Sequence, residues 1–159
     1  MKHVVVSPVR ERLNVDECGH VFRGAFIDNC CEVERWAASI LTAAQTKVSH
    51  RAPLGPKLRE IRRLAERDLA ENAGKLFKYP KAVLSLLDRF RPYADLRSQL
   101  SHSVQTVAFG ADGEMIFFYQ LLHGGTPSLA VAVTRKQQCQ LLSDVKMLAK
   151  LFNDQRTRI

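Results

Sequence analysis

Arg97 and His102 stand five residues apart in the stretch Leu96-Arg97-Ser98-Gln99-Leu100-Ser101-His102-Ser103. Hydroxyls at Ser98 and Ser101 and the amide of Gln99 lie between them. An imidazole moves a proton near neutral pH, and a guanidinium grips a pair of phosphate oxygens without losing its charge. The chemistry open to such a pair is holding or cutting a phosphodiester. Spacing alone does not establish it: fifteen Arg and 5 His in 159 residues yield about one Arg followed by His at a spacing of five to seven by chance. The surroundings must decide.

Those surroundings are basic. Of the net +8, residues 47–97 contribute +7, against −1 for the residues before them and +2 for those after. A basic field gathered on one segment is what an acidic partner, nucleic acid above all, would feel. Arg59, Arg62, Arg63 and Arg67 form a stripe there with no acid–base group in it, which suits phosphate attraction. The other reading of the stripe is a solvated helix face.

The elements that must position the pair follow from periodicity. Residues 1–14 read as an arm. From about Asp16, the expected N-cap, to Gln45, Phe22, Phe26, Val33, Trp36, Ala37, Ile40 and Ala44 repeat every three or four positions, one face of a long amphipathic helix. Asn29 falls on that face, most simply as a satisfied amide, while Asp28, Glu32 and Arg35 make an ion-pair flank. A second helix is expected from Pro56 to about Gly74, with Leu58, Ile61, Leu64 and Leu69 inward. A third runs from Lys81 to about Arg91 over Val83, Leu84, Leu87 and Phe90. Pro92 then opens a fourth, which carries Arg97 and His102 on polar flanks of a face made by Tyr93, Leu96 and Leu100.

After Ser103 the period becomes two. Val104–Phe109 and Met115–Leu122 flank a turn at Gly110-Ala111-Asp112-Gly113, and Ser128–Thr134 alternates with Leu129, Val131 and Val133 on one side. This predicts a three-stranded antiparallel meander over 104–133. Thr134 and Gln137 have capping-box spacing and open a closing helix over 134–153, with Leu141, Leu142, Val145, Leu148, Ala149 and Phe152 inward. The fold class is mainly α with α+β character: one domain, a helical part over 15–103, the meander, then the closing helix.

On a helix an i, i+5 pair is ~140° and ~7.5 Å apart, so Arg97 and His102 do not share a face. Two copies meeting across a two-fold axis would lay two of each along one groove, which predicts a homodimer through the helix bearing Arg97.

The order of patterns resembles the HEPN superfamily of small helical bundles. A long first helix, Gly55-Pro56-Lys57-Leu58 opening the second, the Leu84-Ser85-Leu86-Leu87-Asp88 helix, then Leu96-Arg97 to His102, a hairpin and a closing helix carry the likeness over residues 16–152. The resemblance implies a metal-independent ribonuclease of toxin–antitoxin type or an RNA- or nucleotide-binding protein. In that mechanism the ribose 2′-OH attacks phosphorus, His102 moves the proton and Arg97 neutralises the phosphorane oxygens, with Ser98, Gln99 and Ser101 positioning water, ribose or the His tautomer. Ser98 stands where active members carry Asn, Asp or His. Many members are non-catalytic interaction or regulatory domains, and that is the alternative, with a protein partner such as an antitoxin or regulator. In it, His102 caps a helix end and Arg97 pairs with Asp95, Asp88 or solvent.

Composition narrows the class. The chain is 46% hydrophobic and 25% charged, ordinary for a globular domain. No apolar run approaches the ~20 residues of a membrane span. Val4-Val5-Val6, followed by Ser7-Pro8, is too short for an export signal, so a cytoplasmic location is expected. Cys18, Cys30, Cys31 and Cys139 lack paired spacing and read as reduced thiols. Neither C-x-x-C nor H-E-x-x-H occurs, and no metal or cofactor is expected. Of the other histidines, His3, His20, His50 and His123 have no matched partner in sequence, and Phe118 should oppose Phe117 and Tyr119 across its strand.

Overall fold

Phe22, Phe26, Val33, Trp36, Ala37 and Ile40 are all buried along one side of helix α1, Val15–Ala43, in the computed structural model. The structure describes residues 15–49, 51–71, 76–123 and 126–155, without the side chains of 15–17, 122–123 and 126–130. The arm, His3, His50, Gly74 and the side chain of His123 therefore lie outside the described residues. α2 spans Leu54–Ala70, α3 Pro80–Ser101 and α4 Arg135–Asn153, and the strands β1 (Ser103–Phe109), β2 (Met115–His123) and β3 (Thr126–Thr134) lie between α3 and α4. The chain is a mainly helical bundle with a small antiparallel sheet before its last helix.

α1 packs on α2, α3 and α4, and α2 on α3. Trp36 of α1 meets Phe152 of α4 with ring centroids 4.7 Å apart, and Phe90 of α3 strikes Phe152 edge-on at 5.7 Å. Three helices thus converge on one aromatic cluster, worth more than its buried area alone. Phe77, from the segment after α2, adds a fourth ring 6.4 Å from Trp36.

The boundaries of three helices depart from the periodicity reading: α1 starts at Val15 and so already includes Asp16, the expected N-cap. α2 begins at Leu54 rather than Pro56, with Pro53 as N-cap, and ends at Ala70. The larger correction is α3, one helix that runs straight through Pro92 where two were expected. Val83, Leu86, Leu87 and Phe90 before the proline and Leu100 after it are all buried, while Pro92 itself is exposed. One helix axis places both halves against the same core, and that burial outweighs the ~3 kcal/mol a proline costs inside a helix.

The meander is present with strand order β1-β2-β3. Gly113 at φ 78 supplies the left-handed residue of the first turn, and Asp112 Oδ1 accepts from the Glu114 amide. Phe117, Tyr119 and Val133 point into the core; Thr106, Phe118 and Ala132 align on the opposite face. The register slips between Tyr119 and Gln120, so Val131 pairs with Tyr119 but Leu129 with Gln120. The alternation predicted over Leu129, Val131 and Val133 is broken there by a bulge. Thr134 caps α4 in a full capping box with Gln137.

Asp68 is buried at 4% exposure on the inner stripe of α2, and its Oδ2 accepts from the amides of Leu76 and Phe77 at 3.3 and 3.2 Å. It ties down the segment that delivers Phe77 to the core. Asp68→Ala should lower stability by about 3 kcal/mol, since it orphans buried amide donors bonded to a carboxylate. Urea denaturation with an unchanged m-value would check this. Among the described residues no helix is long and apolar enough to cross a membrane.

Candidate functional site

Arg97 does not sit on a polar flank. It continues the helical stripe of Val83, Leu87, Phe90 and Ala94 along α3, and its side chain is 28% exposed. Its Nη2 donates to Glu34 Oε2 at 3.4 Å, 63 residues away in sequence. The other Glu34 oxygen, Oε1, accepts from Lys57 Nζ at 2.8 Å, and the Lys57 side chain is only 4% exposed. One carboxylate thus joins α1, α2 and α3 through two cations. Arg97 Nε is buried beside them with no acceptor among the described residues. Cys30 lies close by. Burial pushes its thiol up to about 12, against the opposing pull of the Arg97 charge. The thiol is therefore held protonated and inert.

His102 ends up elsewhere. It is the C-cap residue of α3, its amide donates to the Gln99 carbonyl, and its exposed ring makes no hydrogen bond or ion pair among the described residues. His102 holds the cap position of the structural reading, but through its backbone amide, its ring meeting no carbonyl among the described residues; the Arg97 partner is Glu34, not Asp95 or Asp88. Nor do the flanking residues gather round the imidazole. Ser101 Oγ donates to the Arg97 carbonyl in its own helix, and Ser98 is exposed. Gln99 contributes its carbonyl to the cap. The guanidinium that approaches this end of α3 is Arg23, on α1: its Nη1 donates to the Ser103 carbonyl at 3.1 Å, and its Nη2 lies 2.9 Å from His20 Nδ1.

The arginine stripe of α2 divides in two. Arg63 pairs with Glu60 through both Nε and Nη2, at 2.9 and 2.6 Å, and that bonding holds the Glu60 carboxyl below its usual range. Arg67 is exposed on the same flank and adds to the field on Glu60. Arg59 and Arg62 turn the other way, towards α3. They line a groove of about 580 Å³ with Arg91 and Asp95, floored by Leu58, Leu87 and Ala94. Arg62 is neutralised by Asp88 across the groove. Arg59 and Arg91 are exposed and have no acidic partner among the described residues. Two unpaired guanidiniums over an apolar floor can hold a phosphate while a flat or aliphatic group lies below.

Periodicity missed Arg91, because its place in the groove depends on how α2 and α3 pair. It also missed Lys57 and Asp68, though a signal was there: both fall on the stripe of Ile61 and Leu64, where a charged residue must find a partner or stay protonation-neutral. Asn29 donates to the Ala25 carbonyl at 2.7 Å, the satisfied amide expected, and Arg35 pairs with Glu32. Comparisons with family models, with curated proteins and with solved structures return no match.

Proposed function

We propose that this chain is a HEPN-like RNA- or nucleotide-binding domain that holds phosphates in the groove between α2 and α3 and works as a homodimer. The observation that carries the reading is the pair Arg59 and Arg91, exposed and free of acidic partners among the described residues, at one groove beside Arg62. It is supported by the concentration of +7 in residues 47–97. Electrostatic attraction of this kind is independent of base sequence and falls with salt.

The test uses one labelled single-stranded RNA in metal-free buffer with chelator, titrated over a range of salt. Arg59→Ala with Arg91→Ala should weaken binding to all sequences alike and flatten the salt dependence by about 1.4 in log–log slope, ~0.7 for each lost contact. Arg63→Ala should change little, because Glu60 already occupies that guanidinium. An unchanged slope in the double variant would remove the groove from the reading.

Metal-independent cleavage is a second reading, favoured by the open imidazole of His102. The engagement of Arg97 by Glu34 speaks instead for a non-catalytic domain, RNA-binding or regulatory. Wild-type protein that neither binds nor cuts RNA would leave the regulatory, protein-binding reading in place.

A further inference from the structure

β1 and β3 are the two edges of the sheet, and they are unequally protected. β3 contains Pro127, which has no amide to offer a further strand. β1 reads SVQTVAF: no proline, no charged residue, and no bulge in its ladder with β2. Natural edge strands are normally blunted by lysine, proline, a bulge or a covering element, because unpaired backbone groups recruit another strand. On β1 none of the first three devices is present. Among the described residues α1 covers the first three residues of β1, where Arg23 takes the Ser103 carbonyl and Gly19 packs against the Gln105 side chain. Val104, Thr106, Ala108 and Phe109 are exposed, Val104 by 48% and Phe109 by 65%.

We propose that the partner of this edge is a second copy of the chain, paired antiparallel through β1 about a two-fold axis at Thr106 to give one continuous six-stranded sheet. Thr106 is the middle of the seven-residue strand, so this centre alone brings all seven residues of the two strands level, the Ser103 carbonyl being shared with Arg23. It sets Val104 against Ala108 and Thr106 against itself on the outer face, with Gln105 against Val107 and Ser103 against Phe109 on the inner. Threonine and β-branched cross-strand pairs are favourable, and like charges set opposite are not. With +7 of the net +8 gathered on residues 47–97, two copies approaching through that segment bring like charges together. The ladder formed here contains no charge at all. The same strand also satisfies both sides of an isologous contact, which an unrelated strand would have to match by accident.

This assignment names the interface of the homodimer proposed above, and it moves that interface away from α3. Residue 102 of one copy comes level with residue 110 of the other, so the two His102 residues lie ~27 Å apart at ~3.4 Å per residue. They cannot share a groove. The α2–α3 groove, whose lining includes no strand residue, stays open in both copies. Seven paired residues make a small interface, so association belongs in the micromolar range.

Sedimentation velocity and light scattering on the full chain, without RNA, decide the matter over a concentration series reaching well above micromolar. The wild-type chain should dimerise. Thr106→Lys and Thr106→Asp each place like charges face to face at the axis and should each raise the dimer dissociation constant at least tenfold. Mixing the two variants should restore the dimer, because Lys then faces Asp. Circular dichroism confirms that each variant is folded, and the mixture confirms that both are competent to pair. Wild type monomeric throughout, a dimer that survives both substitutions, or a mixture that stays monomeric would each overturn the proposal. None of these outcomes depends on whether the chain binds RNA.

Discussion

Glu34→Ala should lower folding stability by about 3 kcal/mol or more, one of the two largest effects expected of a single substitution in this chain. The carboxylate is the shared acceptor of Lys57 and Arg97. Arg97 at 28% exposure can turn to water, but Lys57 at 4% cannot. Losing one partner of a buried pair leaves an uncompensated charge, a change worth about 3–5 kcal/mol when both groups are fully buried. Glu34 is 23% exposed, which places this case at the lower end. The same reasoning predicts a rescue. Lys57→Met in the Glu34→Ala background should recover most of the loss, because an apolar chain of similar shape has no charge to desolvate. Chemical denaturation of the two single variants and the double gives the coupling directly. A double variant no more stable than Glu34→Ala would show that the interaction is not what holds the three helices in register.

His102→Ala carries the largest expected effect on activity. If the chain cleaves RNA, the substitution should reduce the single-turnover rate by roughly 10²–10⁴, the usual worth of a positioned acid or base. Binding should be nearly unchanged, since His102 lies at the end of α3 and outside the arginine groove. The reaction such cleavage would follow is the attack of the 2′-OH on phosphorus with departure of the 5′ oxygen, which would leave a cyclic phosphate and a 5′-OH. In it a proton would leave the 2′-OH and one would be delivered to the departing oxygen. Because the ring makes no hydrogen bond among the described residues, its removal should leave stability almost untouched. Arg97→Ala should behave in the opposite way. It breaks a contact to Glu34 and uncovers part of the helix junction, so its effect should appear in the denaturation curve. Cleavage that survives His102→Ala would place the activity at another site or in a contaminant.

Much of this architecture was legible in sequence because it is local. The 3.6-residue repeat from Phe22 to Ile40, the change to a period of two after Ser103, the glycines of the first turn and the Thr134–Gln137 capping box each depend on residues within a few positions of one another. Backbone geometry turns such spacings into elements with little help from the rest of the chain. The aromatic core followed from the same periodicity, since rings on the inner stripes of α1, α3 and α4 have nowhere else to go.

Tertiary structure decided what the charged residues do. Arg97 and His102 are near neighbours in sequence, yet one turns inward to a carboxylate on α1 and the other ends a helix in solvent. Arg62 and Arg63 are adjacent, yet they pair with Asp88 on α3 and Glu60 on α2, on opposite flanks. A one-residue step is ~100° round a helix, so adjacent side chains meet different neighbours. Which neighbours those are depends on the packing of α1, α2 and α3, a quantity no local spacing contains. The continuity of α3 through Pro92 has the same origin, because the burial that offsets the proline comes from residues on other helices. Sequence by itself determined the elements, their order and the inward faces. The assignment of each charge to a partner, and with it the turn of Arg97 inward to Glu34, arose only when those faces were brought together.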